Sequence, residues 1–178
     1  MDSNEILRLF DQQLRIDIEY PGTRKDVLPH VVRLIRPAPG ANLILYSWVD
    51  KTNVDAVIQD QIDYFMPLNQ PFGWKVYGHD RPLDLKERLV ASGFEEEEPD
   101  AVMILDLERI STDLLQPIQG DIRLLTLRDL IEDVIRVEEQ VWGGDFSWMR
   151  QRLGDHMQIP GCISIYVAYQ DNEPICAG

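Results

Sequence analysis

Glu138 is the side chain whose position most invites chemistry. It falls seven residues after Ile131 and four after Val134, on the apolar stripe of a helix predicted over 127–142. A carboxylate on a core-facing stripe costs desolvation unless it is paired. Held there, it suits a general base that takes a proton from an amine. The competing reading is a carboxylate at the stripe's edge, paired with Arg123 or Arg136. Glu139 is offset from the stripe and reads as solvated. Just beyond, Trp142, Phe146 and Trp148 flank Gly143-Gly144-Asp145. Aromatics on a glycine-hinged loop between two helices can line a substrate pocket, with Asp145 meeting a cationic amine. They can equally pack beneath the loop as a staple. Tyr166 lies on the opposite strand face from Ile165 and Val167, where a phenol either faces a site or simply packs.

Other reactive residues form no constellation. His30, His79 and His156 are scattered singly and read as surface or satisfied histidines. Cys162 and Cys176 lack a second cysteine or a histidine at ligand spacing, so no metal site is expected. Both fall in predicted strands, as buried thiols of a reduced, cytoplasmic protein. The start Met1-Asp2-Ser3-Asn4-Glu5 lacks the basic and apolar regions of a signal peptide. No apolar run approaches membrane-spanning length.

Thirty-one acidic against seventeen basic side chains leave a net charge of -14. That balance argues against nucleic acid, which needs clustered cations, and against anionic membrane surfaces. An amine-bearing partner is compatible with it, as is a plain solvated acidic surface. With 178 residues, 44% of them hydrophobic and 27% charged, the chain can bury one large core or two small ones.

The elements that must position these groups follow from the pattern. Asp2 or Ser3 caps a first helix to about Ile16, with Ile6, Leu7, Leu9, Phe10 and Leu14 as its apolar side. Strands are predicted over 30–36 and 42–49. Thr52-x-x-Asp55 fits a capping box for a helix over 53–66, stopped by Pro67, with Ile58, Ile62, Phe65 and Met66 on one face. A strand over 72–77, a helix over 83–92 with Gly93 as C-cap, and a strand over 101–107 come next. The four glutamates at 95–98 read as a solvated turn or strand edge. Residues 108–120 are the linker. A strand over 122–125 follows, then Thr126-x-x-Asp129 as a second capping box. It opens the helix bearing Leu127, Leu130, Ile131, Val134, Ile135, Val141 and Trp142. A helix to about Met157, a strand over 162–169, the turn Asp171-Asn172-Glu173-Pro174 and a return strand complete the chain. The expected fold is α/β (α+β), with a mixed, mainly antiparallel sheet flanked by helices.

The order over 122–178 resembles the opening of the GNAT superfamily of acyl-CoA N-acyltransferases. The phrases that carry it are Ile122-Arg123-Leu124-Leu125-Thr126, Val137-Glu138-Glu139-Gln140-Val141-Trp142-Gly143, and Ile163-Ser164-Ile165-Tyr166-Val167-Ala168-Tyr169-Gln170-Asp171-Asn172-Glu173-Pro174-Ile175-Cys176-Ala177-Gly178. The last is similar to a "V-A-x-x-D-G-x-x-V-G" hairpin. Earlier, Gly93-Phe94 after a short helix is similar to the "G-F" opening a later strand of that fold. The resemblance implies a degenerate GNAT-like domain at 1–115 and the leading, incomplete part of a second at 120–178. It also implies acetyl-CoA as cofactor, no metal, and a small-molecule or peptide amine as acceptor. The end of the 127–142 helix would lie near the acceptor pocket, with Glu138 as base and Trp142, Asp145, Phe146, Trp148 and Tyr166 as substrate contacts. Tyr166 could also protonate the leaving thiolate.

The family's R/Q-x-x-G-x-G/A phosphate loop has no counterpart. Its glycines let backbone amides close on a pyrophosphate at a helix N-terminus. The corresponding first-domain loop, Ser47-Trp48-Val49-Asp50-Lys51-Thr52-Asn53, has no glycine and carries an aspartate. In the second domain the loop would follow Gly178. The chain is therefore expected to be the N-terminal part of a longer acetyltransferase and to be inactive alone. The alternatives are a non-catalytic GNAT-like ligand-binding or regulatory module, and an interaction domain that forms a homodimer.

Overall fold

The computed structural model describes residues 2–37, 40–116, 120–126 and 130–178. Among them are five α-helices and seven strands in two sheets, a mixed α+β architecture. The chain divides into two compact units, Met1–Ala101 and Val102–Gly178. The division falls inside the segment read as a strand over 101–107, ahead of the linker read at 108–120.

In the first unit, helix α1 (Ser3–Asp11) is capped by Asp2, whose carboxylate accepts from Glu5 N at 2.9 Å. A wider π-helical turn follows at Gln12–Ile16, closed by Asp17 N donating to Gln12 O. The extra residue in that turn shifts the face presented to the sheet. Arg15 is buried, only 2% exposed, and Leu14, expected on the apolar side, is solvated.

Strands β1 (Arg24–Val27), β2 (Val31–Ile35), β3 (Asn42–Ser47) and β4 (Phe72–Trp74) form a sheet in that order. The first three are antiparallel, and β4 is parallel to β3. The polar strand β1 was not read from sequence. Its composition, Arg-Lys-Asp-Val, suits a charged edge rather than an apolar stripe. The β3–β4 ladder spans only Asn42↔Phe72 to Ile44↔Trp74, whereas Tyr46 and Ser47 pair with β2 alone. Leu45 has no ladder partner, because Val32 pairs with Tyr46 and Arg33 with Ile44; this is a β-bulge.

Helix α2 (Val54–Phe65) and helix α3 (Leu85–Ala91) cover one face of this sheet. Val54, Ile58 and Phe65 from α2, and Leu85 and Leu89 from α3, pack on Val31 and Ile44. Each such burial contributes about 1.5–3 kcal/mol. The other face is closed by Val32, Leu34 and Leu45 against Ile16, Ile18 and Tyr20. Met66, expected on the core face of α2, is exposed past the helix end. Thr52 does not act as the helix cap: Asn53 occupies that place, and Thr52 bonds to Asp50 instead. Gly93, with φ 95°, ends α3 in the left-handed region, and Phe94 N reaches back to Leu89 O.

The strand expected over 101–107 is not formed. These residues have no regular structure up to a 3₁₀ turn at Leu107–Arg109 and are mostly solvent-exposed, Met103 to 92%. Alternation of apolar residues makes a strand only where a neighbouring backbone completes the ladder.

The second unit holds β5 (Asp121–Leu124), α4 (Ile131–Trp142), α5 (Met149–Met157), β6 (Tyr166–Gln170) and β7 (Glu173–Ala177). The antiparallel sheet runs β5-β6-β7. Its hairpin turns at Asp171-Asn172, both with positive φ (53° and 65°), the geometry of a two-residue primed turn. Val167 and Tyr169 meet Val134 of α4 and Met149, Leu153 and Met157 of α5. Cys162 lies in a turn and Cys176 is exposed, so neither is the buried strand thiol expected. Asp129 of the second capping box, the apolar Leu127 and part of the turn at 37–40 lie outside the described residues. No helix among those described is long and apolar enough to cross a membrane.

Candidate functional site

The buried stripe of α4 is Ile131, Val134, Ile135 and Val137. It turns away from the core at its C-terminal end, where Val141 is exposed and Trp142 is 73% exposed. Val137 therefore takes the core position that the spacing assigned to Glu138, which is half-buried on the flank. Neither expected arginine pairs with it. Arg123 binds Asp121, reaches Asn172 and lies 4.1 Å over the Tyr169 ring. Arg136 binds Glu173 at 3.1 Å and Asp133 at 4.0 Å. Among the described residues Glu138 has no hydrogen bond or ion pair.

Gly143 and Gly144, with φ 70° and 89°, let the chain leave α4 and turn into the loop. Asp145 accepts from Ser147 N at 2.8 Å. Those Ser147 hydrogen bonds, aided by the charge of Arg150, hold its carboxyl below the usual aspartate range, so it is ionised at neutral pH. Phe146 and Trp148 lie with ring centroids 6.3 Å apart, and the Arg152 guanidinium sits 5.6 Å from the Trp148 ring. Glu139 is solvent-exposed, as read, and accepts from Phe146 N at 3.4 Å, which ties the loop to the helix end. Arg150 forms an ion pair with Glu132 across the two helices.

Tyr166 is not part of this group. Its neighbours Val167 and Tyr169 fix which sheet face meets the helices, and Tyr166 is on the other, 51% exposed. A shallow cleft of about 280 Å³ lies nearby, lined by Leu124, Leu125, Thr126, Met157 and 163–165. None of the six sequence-derived site residues lines it.

Sequence reasoning missed a polar cluster in the first unit. Arg15 donates to both Asp80 oxygens and to Asp11, each at 2.7 Å. Its Nε donates to the Leu45 carbonyl at the bulge, 2.9 Å away. The guanidinium lies between the Tyr46 and Tyr77 rings, at 4.6 and 4.4 Å. Burial works against its charge, but the hydrogen bonds it donates to Asp80 and Asp11, with their charges, outweigh that and raise its pKa. His79 Nε2 meets Asp11 at 2.9 Å, so this histidine is a satisfied one, as its isolation in sequence implied. Asp11, His79 and Asp80 offer ligand atoms within 4.8 Å of one another. Arg15 already engages both carboxylates and is the cation they hold. The only local signal was the i,i+4 pair Asp11–Arg15.

The loop at the start of α2 occupies the place where a pyrophosphate cradle would sit, and its amides are already engaged. Asp50 accepts from Thr52 N at 2.7 Å and from Thr52 Oγ1 at 2.6 Å. Those bonds lower its pKa, so an anion of the chain itself sits there. Asp50 N donates to Asn53 Oδ1, and Asn53 N and Val54 N both donate to Asp50 O. These amides are consumed internally, and the loop does not fit coenzyme A. An open cleft of about 530 Å³ beside it is lined by Asp50, Lys51, Arg81 and Asp84 with three apolar residues, a mixed-charge wall.

Tyr169 carries a pH prediction. Its hydroxyl donates to Asp133 Oδ2 at 2.6 Å. Burial, then the Asp133 hydrogen bond and charge, push the phenol's pKa up. A raised folded-state value contributes stability below the unfolded phenol's pKa of about 10, and loses it as pH rises through the folded value. Urea midpoints of the second unit are expected to fall above about pH 10, and less steeply in Tyr169→Phe. Parallel alkaline slopes in the two proteins would refute this.

No family model, no curated protein and no solved structure matches the chain.

Proposed function

We propose that this chain supplies the amine-recognising site of a GNAT-type N-acetyltransferase, working in the cytoplasm, with acetyl-CoA as the acetyl donor. The observation that supports this reading most is the loop between α4 and α5. It runs from the exposed Trp142 at the end of α4 through an ionised, solvent-accessible Asp145 to the neighbouring rings of Phe146 and Trp148. Aromatic rings and a carboxylate together attract a protonated amine, by ring quadrupole and by charge. A net charge of -14 steers such a cation toward the chain. Glu138, without an ion pair among the described residues and one helical turn from Trp142, is the group assigned to accept the amine's proton. The element order β5-α4-α5-β6-β7 is the one the resemblance implies for the acceptor side.

The cofactor is not seated by these residues. The one loop in the expected place carries its own carboxylate, and no step is derived through coenzyme A. The chain alone is therefore expected to show no acetyl-CoA turnover and no thermal shift with acetyl-CoA. A ligand at 100 times its Kd would add about 2.7 kcal/mol, a readily measured shift.

Amine recognition is tested by titrating the chain with spermidine, lysine and a lysine-rich peptide while following tryptophan fluorescence. At least one is expected to change the emission, with the change lost in Trp142→Phe and Asp145→Asn. Identical titrations in the parent chain and both variants would end this reading. A thermal shift with acetyl-CoA would overturn the separate claim about its seat.

A further inference from the structure

The recess that holds Arg15 is matched to a guanidinium donor by donor. Nε meets the Leu45 carbonyl, Nη1 meets both Asp11 and Asp80, and Nη2 meets the second Asp80 oxygen. The Asp80 carboxylate thus takes two parallel bonds from one planar fork. The Tyr46 and Tyr77 rings add their faces to the same cation. The Arg15 and Asp80 side chains are only 2% and 8% exposed, so the recess is dry. Its walls are held by contacts in which Arg15 has no part. Tyr77 N donates to Asp80 Oδ2 at 3.0 Å, and His79 Nε2 meets Asp11 Oδ1 at 2.9 Å. Tyr46 lies edge-on to Trp48, with ring centroids 5.0 Å apart, and the Leu45 carbonyl belongs to the bulge of β3. Walls fixed independently of the occupant form a preorganised site for its chemistry. Helix α1 has no fully buried residue, whereas Arg15, one turn beyond it, is sealed in.

We propose that Tyr46, Tyr77, Asp80, Asp11 and the Leu45 carbonyl form a guanidinium-binding site, filled from within by Arg15 to latch the N-terminal segment, and able to take a small alkylguanidinium when Arg15 does not fill it. The ligand class follows from the donors required. One substituted nitrogen must keep its hydrogen for Leu45 while two further nitrogens reach the carboxylates. An ammonium has no such fork and cannot span Asp80 and Leu45 together. N-ethylguanidinium fits an Arg15→Ala recess, because its two carbons replace the Cγ and Cδ that alanine lacks. The rival occupant of an emptied recess is a metal ion, since Asp11, His79 and Asp80 offer ligand atoms within 4.8 Å of one another. This inference does not rest on the proposed enzymatic role.

The test is thermal unfolding of Arg15→Ala, with Trp142 and Trp148 replaced by phenylalanine so that Trp48 and Trp74 report on the first unit. About 1 M trimethylamine N-oxide, an excluded osmolyte, favours the folded variant. N-ethylguanidinium chloride at about 50 mM is expected to raise the midpoint by at least about 4 °C over equal sodium chloride. Ethylammonium chloride is expected to give less than half that rise. Wild type is expected to show no rise, because its recess is full and guanidinium salts otherwise weaken folding. Adding Asp80→Asn to Arg15→Ala relieves an orphaned charge and is expected to abolish the rise. Where Arg15→Ala has no transition of its own, gaining one with N-ethylguanidinium counts for the proposal and its continued absence against it. No rise, an equal rise with ethylammonium, or a rise that survives Asp80→Asn overturns the proposal. So does a larger rise with zinc chloride, which would make the emptied recess a metal site.

Discussion

Arg15→Met is expected to destabilise the first unit by about 3–5 kcal/mol, the cost of breaking a buried ion pair by removing one partner. The loss comes from what remains behind. Asp80 and Asp11 would face each other without a cation, and the Leu45 carbonyl at the bulge would lose its donor. Two tyrosine faces would also lose the charge between them. Arg15→Lys is expected to recover only part of the loss, because an ammonium cannot bind Asp80 through two parallel bonds while bonding Leu45. Adding Asp80→Asn to Arg15→Met removes one orphaned charge and is expected to restore some stability. Urea unfolding followed through Trp48 and Trp74, with the second unit's tryptophans replaced by phenylalanine, measures it. A midpoint change worth less than about 0.5 kcal/mol would show that the cluster is ornamental, as exposed ion pairs often are.

Phe65→Ala is expected to cost about 3–5 kcal/mol, while Trp142→Ala shifts stability by no more than about 0.5 kcal/mol. Both are aromatic residues at or near the end of an apolar helical stripe. Phe65 is buried, stacked 4.5 Å from Phe72 and edge-on to Tyr64. Its removal leaves a cavity between α2 and the sheet. Trp142 contributes little to packing, so its loss is expected to appear in amine binding and not in unfolding. A destabilisation of 2 kcal/mol or more in Trp142→Ala would return it to the staple reading and remove it from the site.

Local pattern made much of the architecture legible. The helix over 54–65 followed from apolar spacing and the Pro67 stop. The β6–β7 hairpin followed from strand residues on either side of Asp171-Asn172, two residues that tolerate positive φ. The mixed, mainly antiparallel sheet is what the family resemblance implies, and the described residues form two sheets, one mixed and one antiparallel. The site was less legible. Asp145, Phe146 and Trp148 share the loop that follows Trp142 because they are adjacent in sequence, whereas Tyr166 lies on the sheet face turned away from the helices. The spacing put Glu138 on the stripe of α4, but a stripe says where apolar residues can go, not where the core ends.

Features that depend on contacts within a few residues were legible in the chain: the Asp2 cap of α1, the apolar spacing of α2, the glycine that ends α3, and the acidic charge. Tertiary structure alone decided that Arg15 is buried: a π-helical turn aims it at a bulge on β3, and its partner Asp80 is 65 residues away. Tertiary structure also decided that 101–107 stays unpaired and that one face of β5-β6-β7 is open. Hydrogen-bond ladders and buried charges take their stability from groups distant in the chain, and the periodicity of a segment carries no record of which distant group will arrive.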